Sequence, residues 1–344
     1  MCHIEVWIYP QCMASPVTGP LDVFAIANAI WLAQAKDNEQ RAPLFSWSLH
    51  SADGAAVNTP TGITLRADAA ILPDTVPDVI LLPGIFLGDG IAGLMRTIDG
   101  LRPFFPLLRQ KHAQGSVLAT NCSASFVVAE AGLLDGGHAT TAWWLERGFK
   151  ARYPQVELRL GEVLDEFDHV ITSAAATTYL DLALHLVERY AGPEVATGVA
   201  KTMLIDANRA SQMPYISLAS LSQQDKQTHD NSLVLRAQNW LRQQAQLPFR
   251  LSALADYLAV SERTVIRHFH QALGTTPASY AQMVKIDLAK RLLENTTLTL
   301  EQVCERTGYV DTGSFRRLFT RHTALSPAKY RQVFRQKKSI ATTS

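Results

Sequence analysis

The C-terminal third of the chain contains one pattern twice, LSALADYLAVSERTVIRHFHQALGTTPASY at residues 251–280 and LTLEQVCERTGYVDTGSFRRLFTRHTALSPAKY at residues 298–330. Each copy predicts a helix of about eight residues, a tight turn, a second helix that exposes arginines, and a further turn closed by proline. This order is typical of the helix-turn-helix motif, whose second helix enters the major groove of DNA. A repeated pattern is much less expected by chance than a single one. The stretch therefore predicts a double helix-turn-helix unit, all α-helical, that binds double-stranded DNA.

In the first copy, the second predicted helix follows Ser261, which is a favourable N-cap residue. Its apolar side chains Val265, Phe269 and Leu273 are spaced by four residues, so they form one inward-facing stripe. Three side chains are left on the outer face, near the end that enters a groove: Arg263, Ile266 and Arg267. Arginine reads guanine edges and also binds phosphates, so we predict that this face contacts DNA.

In the second copy, Phe315, Leu318 and Phe319 are the predicted inward residues of the second helix. The outward residues predicted to contact DNA are Thr312, Arg316 and Arg317. Gly313 lies on the same face and has no side chain, which is expected to weaken base recognition by this copy.

Between the copies, Thr276-Pro277 predicts an N-cap followed by proline at the first helical position. The helix that follows is expected to continue to about Leu293 and to be roughly 25 Å long at 1.5 Å per residue. A rod of that length would place two recognition helices in successive major grooves, about 34 Å apart.

Charge is distributed unevenly along the 344 residues. Residues 232–344 contain 17 Lys and Arg against 7 Asp and Glu, whereas residues 1–231 contain 15 against 24. A basic C-terminal third attached to an acidic front portion is typical of a nucleic-acid-binding module joined to a second domain.

Composition excludes several other classes of protein. Hydrophobic residues make up 47% and charged residues 18%, which is ordinary for a globular chain. No uninterrupted apolar run reaches the length of a membrane span, and the N-terminus lacks the pattern of a signal peptide, so we expect a cytoplasmic protein without membrane contact. The four cysteines form no C-x-x-C pair, and we expect no metal and no cofactor.

The front portion alternates predicted strands and helices. Strands are expected at residues 3–9, 44–49, 57–65 (short, or a hairpin), 79–82, 116–120, 156–160 and 169–172. Helices are expected from Pro20 onward and at residues 101–112, 123–134, 179–190 and 193–206. The alternation predicts an α/β fold with a doubly wound, mostly parallel, flavodoxin-like sheet. We expect this domain at residues 1–206, a polar linker at 207–231 and the DNA-binding domain at 232–338.

Cys122 follows a predicted buried strand and precedes a helix. A nucleophile in that position has the elbow geometry of hydrolase-like folds. Because backbone N–H groups and the helix dipole favour an anion there, the position predicts a lowered thiol pKa. A small buried hydrophobic residue is the alternative interpretation.

Around this elbow the sequence resembles the class I glutamine amidotransferase-like superfamily, which includes the PfpI-type proteins. The similarity is greater to the GlxA-type regulators of the AraC family. It is carried by GPLDVF at 19–24, LPG at 82–84, Cys122 with AEAGLLDG at 129–136, ATT at 139–141 and ITSA at 171–174. The closing pattern from Gly308-Tyr309 to SPAKYR at 326–331 likewise resembles the AraC-type DNA-binding domain.

The same resemblance argues against catalysis. Enzymes of the superfamily often have histidine directly after the cysteine, where this chain has Ser123, and the regulators commonly have histidine where it has Ala142. A cysteine nucleophile needs a base within hydrogen-bond reach. We therefore predict a non-enzyme in which Cys122 is a vestigial nucleophile.

The resemblance also implies a ligand site at the strand ends, for a small nitrogenous effector, and a homodimer. The residues predicted to line that site are Asp22, Gly84, Cys122, Ser123, Trp143 and Trp144. Together these features predict a sequence-specific transcriptional regulator. Two alternatives remain: a cysteine-dependent hydrolase or lyase fused to a DNA-binding module, and an architectural DNA-binding protein without a ligand pocket.

Overall fold

The computed structural model describes residues 1–35, 41–206, 209, 211–216 and 231–335. The chain divides into two compact units, 1–212 and 213–344, which we call the front unit and the helical unit. Most of the predicted linker at 207–231 lies outside the described residues.

A mixed sheet forms the centre of the front unit. The strands are β1 Cys2–Trp7, β2 Phe45–Ser51, β3 Val57–Asn58, β4 Thr64–Leu65, β5 Ala69–Ala70, β6 Val79–Leu82, β7 Val117–Asn121, β8 His138–Ala139, β9 Glu157–Leu158, β10 Leu164–Phe167 and β11 Val170–Ser173. Seven of them form one sheet in the order β10-β11-β7-β6-β1-β2-β5. All its neighbours are parallel except β10 and β11. The predicted doubly wound, mostly parallel sheet is confirmed, and 57–65 is the predicted hairpin.

Helices flank this sheet. They are α1 Ser15–Ala33, α2 Gly90–Leu101, α3 Phe105–Ala113, α4 Ser125–Glu130, α5 Glu146–Arg152, α6 Tyr179–Ala191 and α7 Pro193–Met203. The prediction that the first helix begins at Pro20 is wrong, because α1 begins at Ser15 and contains Pro20. Strands β6 and β7 are buried along their whole length, as strands covered by helices on both faces must be.

Among the described residues, α1 is the one helix whose length and composition would allow it to cross a membrane. Core helices of soluble proteins meet the same criterion. Since α1 packs against α6 and α7 and buries Val23, Phe24 and Ala27, we interpret it as a core helix of the front unit.

The helical unit contains seven α-helices in its described part: α8 Ser232–Gln243, α9 Leu251–Leu258, α10 Glu262–Leu273, α11 Pro277–Asn295, α12 Leu300–Arg306, α13 Thr312–Thr323 and α14 Pro327–Phe334. They pack around two separate hydrophobic cores. The N-terminal half of α11 contributes Val284 to the first core, and its C-terminal half contributes Leu293 to the second. The predicted connecting rod is therefore one continuous helix of 19 residues shared by both cores.

Candidate nucleic-acid interface and cysteine elbow

Cys122 lies at a sharp turn between β7 and α4. Its φ is +55°, in the left-handed region that residues other than glycine seldom adopt. One helical turn, Cys122–Ala124, leads directly into α4. The strand-turn-helix elbow expected from the sequence is present.

The loop after β6 approaches this elbow closely. A Cβ atom on Gly84 would lie 3.1 Å from Oδ1 of Asn121 and 3.4 Å from Cβ of Cys122, so a larger residue would be crowded there. Ser123 ties the same loop down, because its Oγ accepts from the backbone N–H of Ile85 and donates to the carbonyl of Ile85, both at 2.8 Å. Gly84, Cys122 and Ser123 therefore lie together, and all three are buried.

Two hydroxyl groups hold the elbow from the other side. Ser125 Oγ donates to the carbonyl oxygen of Cys122 at 2.9 Å, and Thr141 Oγ1 donates to the same oxygen at 3.1 Å. Thr141 is thus the direct link between the elbow and the loop that carries Trp143 and Trp144.

The expectation of a lowered thiol pKa is wrong. Burial raises the pKa of Cys122 from 9.0 to about 12, and hydrogen bonds with Ser123 oppose this only partly. Cys122 is only 5% exposed, so desolvation of the thiolate outweighs the favourable helix terminus. Among the described residues, no carboxylate and no histidine is hydrogen-bonded to this sulfur, which leaves the thiol without a general base.

The remaining predicted ligand residues are exposed or half-buried. Asp22 is exposed on α1. Trp143 and Trp144 are half-buried, and their rings contact each other edge-on with centroids 5.3 Å apart.

A large open cavity lies at the carboxyl ends of β1 and β2, and the residues that line it include none of the six predicted ligand residues. Its volume is about 1070 Å³, and its lining includes Tyr9, Gln11, Ser51, Phe86 and Arg96. Phe86 belongs to the loop that carries Gly84 to the elbow. The order of the sheet reverses direction between β1 and β6, and open α/β sheets bind ligands in the crevice at such a switch point.

The first recognition helix, α10, has the orientation that the sequence predicts. Ser261 Oγ accepts a hydrogen bond from Thr264 N at 3.2 Å and caps the helix. Val265 and Phe269 are fully buried in the first core. Arg263, Ile266 and Arg267 are exposed on the opposite face.

The second recognition helix, α13, repeats the arrangement with a stronger cap. Asp311 accepts from the backbone N–H groups of Gly313 and Ser314 at 3.2 and 2.7 Å. Phe315 and Phe319 are fully buried, whereas Arg316 and Arg317 are exposed and Thr312 is half-buried. Arg317 is steadied by donating to Ser314 Oγ at 3.0 Å, and Arg316 is its exposed neighbour.

The chain is similar to known regulators over most of its length. A model of the DJ-1/PfpI family matches residues 19–189, and a helix-turn-helix domain model matches residues 254–333. The HTH-type transcriptional regulator CdhR of Pseudomonas aeruginosa is 29% identical over 306 residues, covering 89% of this chain and 87% of that protein. The regulator GbdR of the same species is 24% identical, covering 94% and 84%.

This chain is a DNA-binding transcriptional regulator. It combines a DJ-1/PfpI domain with a helix-turn-helix domain of the AraC type. Among solved structures, a Vibrio parahaemolyticus protein aligns with a TM-score of 0.50 at 16% identity, covering 59% of this chain and 98% of its own. That likeness shows the fold of the front unit alone.

Sequence reasoning missed a residue that joins the two halves of this regulator's helical unit. Lys285 of α11 is 6% exposed, and its Nζ donates to the carbonyls of Leu247 and Thr307, both at 2.8 Å. Leu247 precedes the first helix-turn-helix, and Thr307 ends the first helix of the second. A lysine on a predicted amphipathic helix gave no signal that its ammonium would be buried.

We expect Cys122 of the folded regulator to resist iodoacetamide at neutral pH. A pKa of about 12 instead of 9.0 lowers the thiolate fraction about a thousandfold, and the sulfur is also buried. Peptide-resolved mass spectrometry after timed alkylation measures the rate. The urea-unfolded protein, in which all four cysteines should react, is the control. Rapid labelling of Cys122 in the folded protein would restore the hydrolase or lyase alternative.

Proposed function

We propose that this regulator reads DNA with both recognition helices and that a small molecule bound by the front unit controls it. The observation that carries the proposal is the pair of capped helices, each with phenylalanine in its own core and arginines on its open face. Because α11 belongs to both cores, it acts as a stiff spacer between the two. The proposed DNA contacts are Arg263, Ile266, Arg267, Thr312, Arg316 and Arg317.

Arg267→Ala should weaken binding to a cognate site by about 1–3 kcal/mol if this side chain reads a base. The site is first obtained by sequencing the DNA fragments that the purified protein captures. Arg291→Ala is a matched control, because Arg291 is an exposed arginine on α11, paired with Asp287 at 3.6 Å. Affinities are then measured for cognate and random duplexes. An equal loss on both would assign Arg267 to phosphate contact, and no loss on either would remove it from the interface.

For the effector, we propose the cavity at the carboxyl ends of β1 and β2. The predicted ligand residues do not line this cavity, and we propose that they respond to its occupation: Asp22, Gly84, Cys122, Ser123, Trp143 and Trp144. The cavity has room for a metabolite, and its Phe86 loop continues into the buried Gly84. Small nitrogenous compounds are the first class to test. Repeating the fragment capture with and without them would reveal a shift in the DNA recovered.

We further propose that the protein is not an enzyme, acts in the cytoplasm and binds DNA as a homodimer. The raised thiol pKa and the absence of a base among the described neighbours of Cys122 support the first point. The DNA target supports the second. The resemblance to dimeric regulators supports the third.

A further inference from the structure

Gln212, the last residue of the front unit, holds the loop behind the elbow. It is 3% exposed. Its Nε2 donates to the carbonyl of Thr141 at 2.8 Å, and its Oε1 accepts from the backbone N–H of Trp143 at 3.2 Å. The one side-chain amide therefore uses both its donor and its acceptor on the backbone of the same loop.

The backbone around Gln212 is fixed as well. Its N–H donates to the carbonyl of Gly161 at 3.2 Å, and Ser211 Oγ donates to the same oxygen at 2.7 Å. Ser211 also forms an isolated antiparallel bridge with Glu162. Because Thr141 donates in turn to the carbonyl of Cys122, a continuous hydrogen-bonded path joins the elbow to Gln212.

The next four residues belong to the helical unit. Lys290 of α11 is 6% exposed, and its Nζ donates to the carbonyls of Met213, Pro214 and Ile216 at 3.3, 3.2 and 2.7 Å. The three ammonium protons therefore have three acceptors, as a buried ammonium requires. The Tyr215 ring also packs edge-on against Phe334 at 5.1 Å.

In the part of the chain that the structure describes, residues 213–216 are attached to the second helix-turn-helix and not to the first. The turn Met213–Tyr215 packs against α13, the second recognition helix, and Lys290 lies in the half of α11 that serves the second core. The pKa of Lys290 is lowered to about 8 by burial, which agrees with an ammonium held by protein rather than by water.

We propose that residues 211–216 form a strap that couples the elbow to the second helix-turn-helix, with Gln212 as the positioning residue. Its two anchors are consecutive residues of the chain, so a change at the Thr141–Trp143 loop reaches the Lys290 attachment without a free segment between them. The idea that the strap transmits effector control rests on the proposed function. The coupling itself exists without effector or DNA, and it is reciprocal.

Hydrogen exchange of the full-length protein, without ligand or DNA, tests the strap. Gln212→Ala should speed amide exchange in residues 139–143 and, in the other unit, in 213–216 and α13, by about fivefold or more. Lys290→Met should do the reverse, loosening 213–216 first and then residues 139–143. Gln155→Ala is the matched control, since Gln155 is an exposed glutamine of the same unit and should change neither region.

The strap is refuted if Gln212→Ala alters exchange only within the front unit. It is equally refuted by a uniform increase that includes α8 and α10, because the attachment lies on the second core and not the first. Gln212→Ala removes no contact of the helical unit, so the test does not depend on whether Lys290→Met folds. These exchange rates are measured without an effector, so a failure to find an effector would not change them. The strap and the proposed effector control can therefore be refuted separately.

Discussion

Gly308→Ala is expected to destabilise the second helix-turn-helix by about 3 kcal/mol or more. Gly308 has φ +69°, and a Cβ there would lie 2.6 Å from the carbonyl oxygen of Gln246 and 2.7 Å from Nζ of Lys285. Backbone cannot move aside as a side-chain tip can. The methyl group would therefore push apart the two halves of the helical unit at the point where Lys285 joins them. As the second helix-turn-helix loses stability, the affinity for a duplex with two sites should also fall.

Gly274→Ala is the matched control. Gly274 ends α10 with φ +64°, but its Cβ would meet nothing within 4 Å. The conformation alone is tolerable, because Ala324 occupies it at the end of α13 with φ 56°. We expect a loss of about 1 kcal/mol at Gly274.

Amide exchange in α12 and α13 of the full-length protein measures the first effect as a free energy of local opening. Gly308→Ala should raise those rates roughly 100-fold. If both glycine variants behave alike, the close approach to Gln246 and Lys285 is not what limits this position.

The helical unit was largely predictable from sequence because its signals are local. Ser261 caps α10, Thr276 caps α11 before Pro277, and the inward residues Val265 and Phe269 are buried as their spacing indicates. Spacing along one helix decides which side faces its core. No such rule shows that Lys285 would reach two carbonyls from different segments.

The front unit was predictable where strands are buried on both faces. The apolar run of β6 gave the bounds Val79–Leu82 without error. Helix α2 was missed, since three of its twelve positions are glycine. Strand β10 was missed as well, because it is a short edge strand in which two of the four residues, Asp165 and Glu166, are charged. Pro20 misled the prediction of α1, because a helix interior tolerates proline when tertiary packing compensates for the lost hydrogen bond.

At the elbow, the position of Cys122 in the sequence predicted the turn correctly, but it did not predict how deeply the thiol is buried. The strand-helix junction identified the turn at Cys122, but the pKa of its thiol depends on burial, and a different segment, the loop that carries Gly84, packs closely against it. Gln212 was missed for a related reason, since it lies in a polar stretch without periodicity and acts through contacts about 70 residues away in sequence.

Lys111→Met is expected to destabilise the front unit by about 3 kcal/mol or more. Lys111 of α3 and Glu5 of β1 are 0% and 1% exposed, with Nζ 3.7 Å from Oε2. Thr75 lies between them: it accepts from Lys111 at 2.9 Å and donates to Glu5 at 2.7 Å. Trp7 Nε1 donates to the other carboxylate oxygen at 3.1 Å. Removing the ammonium would leave a buried carboxylate without its counter-charge.

The pH dependence of stability provides a second signature of the same lysine. Burial lowers the pKa of Lys111 below 10.5. Between the folded value and 10.5 the unfolded chain therefore binds more protons, so this group makes the free energy of unfolding rise with pH in that interval. The rise should be visible as a difference between wild type and Lys111→Met.

A double-mutant cycle separates the ion pair from simple packing loss. Five of the six tryptophans precede residue 213, so urea unfolding followed by tryptophan fluorescence reports mainly on the front unit. Glu5→Gln added to Lys111→Met removes the uncompensated charge. The amide oxygen of the new glutamine can accept from Trp7 and its NH2 group can donate to Thr75 Oγ1, so the double variant should be more stable than Lys111→Met alone. Lys150→Met, at an exposed lysine paired with Glu146, should cost under about 1 kcal/mol. If the losses in the free energy of unfolding caused by Glu5→Gln and by Lys111→Met simply add in the double variant, Glu5 and Lys111 stabilise the sheet independently, each through its own hydrogen bonds with Thr75.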